Sequence, residues 1–236
     1  MKFADYAGLR RAVGLEDAKG TQALLEQTRV DLGLAFQGMP DHELRHYVRD
    51  VDELLGLDLL GYDTGIWVDE PPISNPKFMV LDGLLGIQEI KGKLPGLEYK
   101  EAQHDGTTYY WLSEEPQVML GHPLRIMAPY VNRMAFVGER GLFGSDNRVI
   151  TELIDVSSGK GASLGDSPAH AALAQAVGDG ILGATFLTPQ WVVEQWDPYT
   201  SRSKPLERLD RYLEGPERWG VLSGYTHGLL GYRIQG

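Results

Sequence analysis

The chain has 236 residues, of which 42% are hydrophobic and 23% are charged, a composition typical of a globular protein and not of a disordered one. Its net charge of −11 comes from 33 acidic and 22 basic residues with no local run of Lys and Arg, which argues against binding to nucleic acid or to an anionic membrane surface. The chain contains no cysteine, which excludes disulfides, thiolate nucleophiles and cysteine-ligated metal sites.

The first 61 residues are predicted to be mainly helical. Residues 4–36 carry apolar side chains at helical spacing and predict two short helices, the first of which ends at Gly14. A third helix is predicted from Pro40, because an apolar stripe of period 3.6 runs from Leu44 to Leu55. We therefore expect residues 1–61 to form an N-terminal helical segment that packs on the rest of the chain.

From residue 62 onward the pattern becomes strand-like, interrupted by further helices. The hairpin signals are the Asp105-Gly106 pair and the turn that contains Gly138 and Gly141. Asp146 is a predicted helix cap. The predicted strands are 65–69, 77–81, 99–103, 107–112, 133–137, 142–144, 181–187, 219–222 and 229–234, and the predicted helices are 84–94, 168–177, 206–213 and the one that Asp146 begins.

Strand pairs that alternate with helices and are joined by short turns predict an α+β fold, with an antiparallel sheet and helices packed on one face. We interpret residues 62–236 as one α+β domain. Ranges 62–130 and 131–236 share a coarse order of strands and helices, which makes them the candidate sub-units of a domain built from two similar βαβ-type units.

The sharpest catalytic motif is the string His42-Glu43-Leu44-Arg45-His46, which spells HExxH. On a helix, His42 and His46 at this spacing can bind zinc while Glu43 acts as general base. Relative to the apolar stripe through Leu44, however, both histidines point roughly 160–200° away from the core. We therefore interpret the motif as part of a solvated helix face.

A zinc site also needs a third ligand, and the sequence offers no convincing one. Arg49 occupies the position where the extended motif requires glycine, Glu53 lies on the same helix, and Glu70 lies in a proline-rich loop. We accordingly predict no catalytic residue, no bound metal and no cofactor. A zinc-dependent hydrolase that uses the HExxH string at 42–46 is the enzymatic alternative.

Three other features are interpreted as structural. Residues 178–183 match GxGxxG but run from a helix to a strand, the reverse of the order in dinucleotide-binding folds. Residues 159–161 lack the Ser or Thr of a phosphate-binding loop. The consecutive aromatics Tyr109–Trp111 would expose a ring on a strand covered on one face, so we expect a helix to cover the second face of that strand.

Two stretches are similar to known sequences. One runs from Gly56 to Asp63 and continues through Pro71-Pro72 and Leu81-Asp82-Gly83 to the Asp105-Gly106 hairpin. The other joins the hairpin of 135–145 to Ala162-Ser163-Leu164-Gly165-Asp166-Ser167-Pro168, before an alanine-rich helix. Together they resemble uncharacterised exported proteins and lipoproteins of bacteria, a group of domains of unknown function.

The resemblance implies an extracytoplasmic domain, in the periplasm or at the cell surface, carried behind a signal peptide or a lipid-anchored cysteine upstream of Met1. The sequence itself contains no run of the ~18 apolar residues that a membrane-spanning helix needs. We expect a soluble binding or scaffolding protein of the bacterial envelope rather than an enzyme. The further alternative is a subunit of an envelope complex, which would contact a protein partner through Tyr109–Trp111 or through the closing hairpin of strands 219–222 and 229–234.

Overall fold

The computed structural model describes residues 2–12, 51–58, 61–68, 77–84, 86–114, 122–124, 128–168, 171, 183–187, 219–223 and 228–232. The helices predicted within 13–50 and over 206–213 lie outside these residues. No helix in the described ranges is long and apolar enough to span a bilayer.

Within the described residues, ten strands form a single sheet. They are β1 (Lys2–Asp5), β2 (Thr64–Val68), β3 (Phe78–Asp82), β4 (Lys100–His104), β5 (Thr107–Trp111), β6 (Arg133–Val137), β7 (Arg140–Gly144), β8 (Gly183–Leu187), β9 (Trp219–Ser223) and β10 (Gly228–Tyr232). Their order is β4-β5-β6-β7-β3-β2-β1-β8-β10-β9, and each neighbouring pair is antiparallel. The predicted α+β fold with an antiparallel sheet is confirmed.

The helices are short. They are α1 (Tyr6–Ala12), α2 (Ile87–Lys93), α3 (Ala128–Val131) and α4 (Asn147–Ser157), and residues 51–55 are also helical. Single turns of 3-10 helix cover Leu94–Leu97 and Leu164–Asp166. The predicted cap of α4 is confirmed, because the side chain of Asp146 accepts a hydrogen bond from the backbone N–H of Val149 at 3.0 Å.

The chain begins with a strand where the sequence predicts a helix from residue 4. Strand β1 lies inside the sheet, and Phe3 is paired with Ile66 of β2 on one side and Ala184 of β8 on the other. Helix α1 begins only after Asp5, whose side chain accepts a hydrogen bond from the backbone N–H of Gly8 at 2.6 Å. Four residues are too few to show a period, so only their pairing with distant strands reveals the strand.

Helices cover both faces of the sheet, where the sequence predicts a single helical face. Consecutive residues of a strand point to opposite faces. In β7, Phe143 packs in the core that contains Ile90 of α2, whereas Leu142 packs beneath Ile150 and Ile154 of α4. The larger core therefore lies on the α2 face and the smaller one on the α4 face.

The aromatic run in β5 follows from this arrangement. Tyr109 packs in the core under α4, and Tyr110 packs in the core on the other face. Both side chains are buried. The interpretation that helices cover both faces of this strand is therefore confirmed.

The hairpin predicted at Asp-Gly is also confirmed. Asp105 and Gly106 join β4 to β5 with φ of 50° and 82°. Positive φ at both central residues of a two-residue loop is the geometry of a type I′ turn, which matches the twist of the flanking strands. The turn presents His104 and Asp105 to the C-terminal end of α4.

Candidate functional site

A groove of about 790 Å³ lies beside α4, over strands that α4 leaves uncovered. Helix α4 contacts β6 and β7. Beyond them on the same face, Val80 of β3, Ile66 of β2 and Phe3 of β1 are directly opposite one another across the strands and form the floor, with Phe78 beside them. The side chains next to them in sequence, such as Met79, point into the core on the other face.

One wall of the groove is the side of α4 that carries Val149, Leu153 and Val156. These positions are spaced by four and three residues, so they lie on one stripe of the helix. Floor and wall together make the lining mainly apolar.

Another wall is the loop of residues 162–167, which includes Ser163. The loop approaches α4 closely at Gly161, where an added Cβ would lie 3.0 Å from the backbone nitrogen of Val156. The backbone N–H of Ser163 donates to the carboxylate of Asp166 at 2.6 Å, and this bond lowers the pKa of Asp166. The fold therefore holds this wall against α4 through backbone contacts and a local turn.

The loop is also tied to the β4–β5 turn. Lys160 forms an ion pair with Asp105, and this contact lowers the pKa of the Asp105 carboxyl. His104, in the same turn, contacts Asp155 of α4 at 2.8 Å between Nε2 and Oδ1. All four side chains are partly exposed, so each pair contributes at most modestly to stability.

Charged side chains lie at the rim of the groove. Asp82, the last residue of β3, and Arg140, the first residue of β7, form an ion pair at 3.3 Å. Arg148 and Glu152 lie one turn apart on α4 and are exposed. Within the described part of the chain, neither of these two forms an ion pair.

The described lining combines an apolar surface with a few polar groups. Its polar groups are hydroxyls, the two carboxylates and the two guanidinium groups named above. The geometry can therefore hold an apolar molecule and orient its polar end.

The residues of the HExxH motif, His42, Glu43 and His46, lie outside the described residues. The zinc site and the solvated helix face therefore both stay predictions. In the ranges that the structure describes, no three His, Asp or Glu side chains cluster in a way that could hold a metal ion. Outside the groove, His122 accepts a hydrogen bond at its Nδ1 from the backbone N–H of Leu124 at 3.1 Å, which is a structural contact.

We expect purified protein to contain much less than one zinc ion per chain, because His42 and His46 are predicted to face solvent without a third ligand. Elemental analysis after exhaustive dialysis measures this directly. One zinc per chain that is retained by His104→Ala and lost in His46→Ala would contradict the expectation and support the hydrolase.

Of the surface proposed to contact a protein partner, Tyr109–Trp111 is mostly internal. The indole of Trp111 lies between two cations, with Lys100 Nζ 4.6 Å and the guanidinium of Arg133 5.3 Å from its ring centre. Lys100 on β4, Trp111 on β5 and Arg133 on β6 are directly opposite one another. The Trp111 ring therefore packs against neighbouring strands of the sheet. For the closing hairpin, the structure describes the backbone of the two strands but not their side chains.

Sequence reasoning missed the groove, although a signal for it was present. Ile66, Phe78 and Val80 are apolar residues on the face of β2 and β3 opposite the core residues Trp67, Met79 and Leu81. A strand that is apolar on both faces indicates that both faces are covered. The groove lies over the strands that α4 does not cover.

In comparison with known proteins, the chain matches no protein-family model, no curated protein and no solved structure.

Proposed function

We propose that this chain is an extracytoplasmic binding protein whose groove holds one small, mainly apolar ligand. The observation that carries the proposal is a concave site of about 790 Å³ with an apolar floor and wall and a few charged groups at its rim. Sites for small molecules are commonly about 300–1,000 Å³ and have this kind of lining. The location outside the cytoplasm is supported by the sequence resemblance.

The groove is built on elements that are already fixed by the fold. Strands β2 and β3 are paired on both sides, so the floor belongs to the interior of the sheet. The wall helix is anchored by Ile150 and Ile154, which are buried against β6 and β7. A site held in shape before the ligand arrives loses less conformational entropy on binding, which favours affinity.

The proposal can be tested with N-phenyl-1-naphthylamine, an uncharged apolar dye whose fluorescence rises in an apolar site. We expect saturable binding of one dye per chain. The variant Ile66→Trp places a larger side chain on the floor, so it should weaken binding about tenfold, which corresponds to ~1.4 kcal/mol.

Thr107→Trp is the matched control, because Thr107 is also a half-buried strand residue but lies outside the groove lining. It should bind the dye as the parent chain does. Absence of saturable dye binding, or equal loss of binding in both tryptophan variants while their circular dichroism spectra match that of the parent chain, would overturn the proposal.

A further inference from the structure

The rim of the groove is electrically balanced. Among its described residues, two arginines face two carboxylates, so a ligand with a net charge gains no net attraction there. The whole chain carries a net charge of −11, which disfavours the approach of an anion. The charges therefore disfavour an anionic ligand, and the rim offers a partner to each of the two charges of a zwitterion.

The two charge pairs differ in what they offer a ligand. Asp82 and Arg140 already pair with each other at 3.3 Å, so their charges largely satisfy one another. Arg148 and Glu152 are both exposed, border the groove and form no ion pair within the described chain. This second pair is the one that a ligand can engage.

The spacing of the second pair sets the size of the group it can hold. Residues four apart on a helix have Cβ atoms about 5–6 Å apart on the same side. An anionic and a cationic group separated by a few covalent bonds span a similar distance. Arg148 can donate hydrogen bonds to the anionic part while Glu152 attracts the cationic part.

We propose that the occupant of the groove is a single zwitterionic amphiphile. Its apolar chain lies on Phe78 and Val80 against Leu153, and its anionic and cationic groups bind Arg148 and Glu152, respectively. The proposal rests on the proposed function and names the ligand class. A concave site beside a helix fits one monomeric molecule, so the source is a free amphiphile and not a bilayer surface.

The test displaces the neutral dye from the whole chain with four amphiphiles that share a decyl tail, each kept below its critical micelle concentration. They are decylphosphocholine, decyl maltoside, decyl sulfate and decyltrimethylammonium. We expect the phosphocholine to displace the dye at a concentration about tenfold lower than any of the others, a difference of ~1.4 kcal/mol.

Arg148→Gln and Glu152→Gln should each remove this preference, so that decylphosphocholine and decyl maltoside displace the dye at similar concentrations. Arg11→Gln and Glu98→Gln are the matched controls, because both residues are exposed and lie outside the groove lining. Both controls should keep the preference for the phosphocholine.

The outcomes separate the two proposals. Dye binding without preference for the phosphocholine, or a preference that survives both Gln variants on α4, overturns the zwitterionic ligand and leaves the binding function standing. Failure of the dye to bind overturns both. Sedimentation of the chain with phosphatidylcholine vesicles overturns the monomeric occupant, whereas a chain that stays in the supernatant supports it.

Discussion

Replacing Arg133 with methionine is expected to lower the free energy of unfolding by about 1.5–3 kcal/mol. Only 1% of this residue is exposed, and burial lowers the pKa of its guanidinium, yet its described hydrogen bonds go to uncharged oxygens. The acceptors are Asn147 Oδ1 at 2.7 Å and the backbone oxygens of Ser113, Asn132 and Glu114. Methionine fills a similar volume but donates no hydrogen bond, so Asn147 Oδ1 and the Glu114 backbone oxygen lose this donor, whereas the Ser113 and Asn132 oxygens each keep another one.

Urea unfolding followed by circular dichroism measures the effect as a shift of the midpoint. Arg11→Met is the control, because the Arg11 side chain is 61% exposed and its contact with Asp5 is long, at 3.9 Å. The control should change stability by less than about 0.5 kcal/mol. Equal stability of the two variants would show that water or other donors replace the guanidinium.

The second large effect is a loss of stability in alkaline solution. Tyr62 and Tyr99 are buried, and burial raises the pKa of both phenols well above the ordinary value of about 10. The unfolded chain releases these protons near pH 10 while the folded chain retains them, so stability is complete below pH 10 and falls as the pH rises further. Each tyrosine contributes a loss of about 1.4 kcal/mol per pH unit.

Unfolding measured from pH 8 to 12 should therefore show a plateau followed by a steep decline. Tyr99→Phe separates this effect from other alkaline titrations. It removes the hydrogen bond from the Tyr99 hydroxyl to the backbone oxygen of Val131 at 2.7 Å, which costs about 1–2 kcal/mol at neutral pH. It also removes one titrating proton, so the variant should become the more stable chain between about pH 11 and 12. If the free energies of unfolding of the two chains differed by the same amount at every pH, this explanation would be contradicted.

Local signals in the sequence predicted the local structure well. The Asp105-Gly106 pair predicted the β4–β5 hairpin because few residues other than Asp, Asn and Gly adopt positive φ at both turn positions. Asp146 predicted the start of α4 because its side chain satisfies a free backbone N–H. Residues 133–137 were predicted as a strand with the bounds that the structure has.

Features that depend on distant pairing could not be predicted in this way. Strand β1 is too short to show a hydrophobic periodicity, and its position in the sheet depends on pairing with β2 and β8. Arg133 looks like an ordinary charged strand residue, because its burial depends on carbonyl groups about 20 residues away at the end of β5. The groove depends on how far α4 reaches across the sheet, which follows from packing and not from any single segment.

The place of β1 between β2 and β8 also affects how the chain assembles during synthesis. Lys2 pairs with Trp67 on one side and with Thr185 on the other. During synthesis, one edge of β1 therefore stays unpaired until β8 has been made. Contacts between such distant residues slow folding, and an open strand edge can pair with another nascent chain in the meantime. We therefore expect refolding yield to fall with protein concentration, since completion of the sheet competes with intermolecular strand addition.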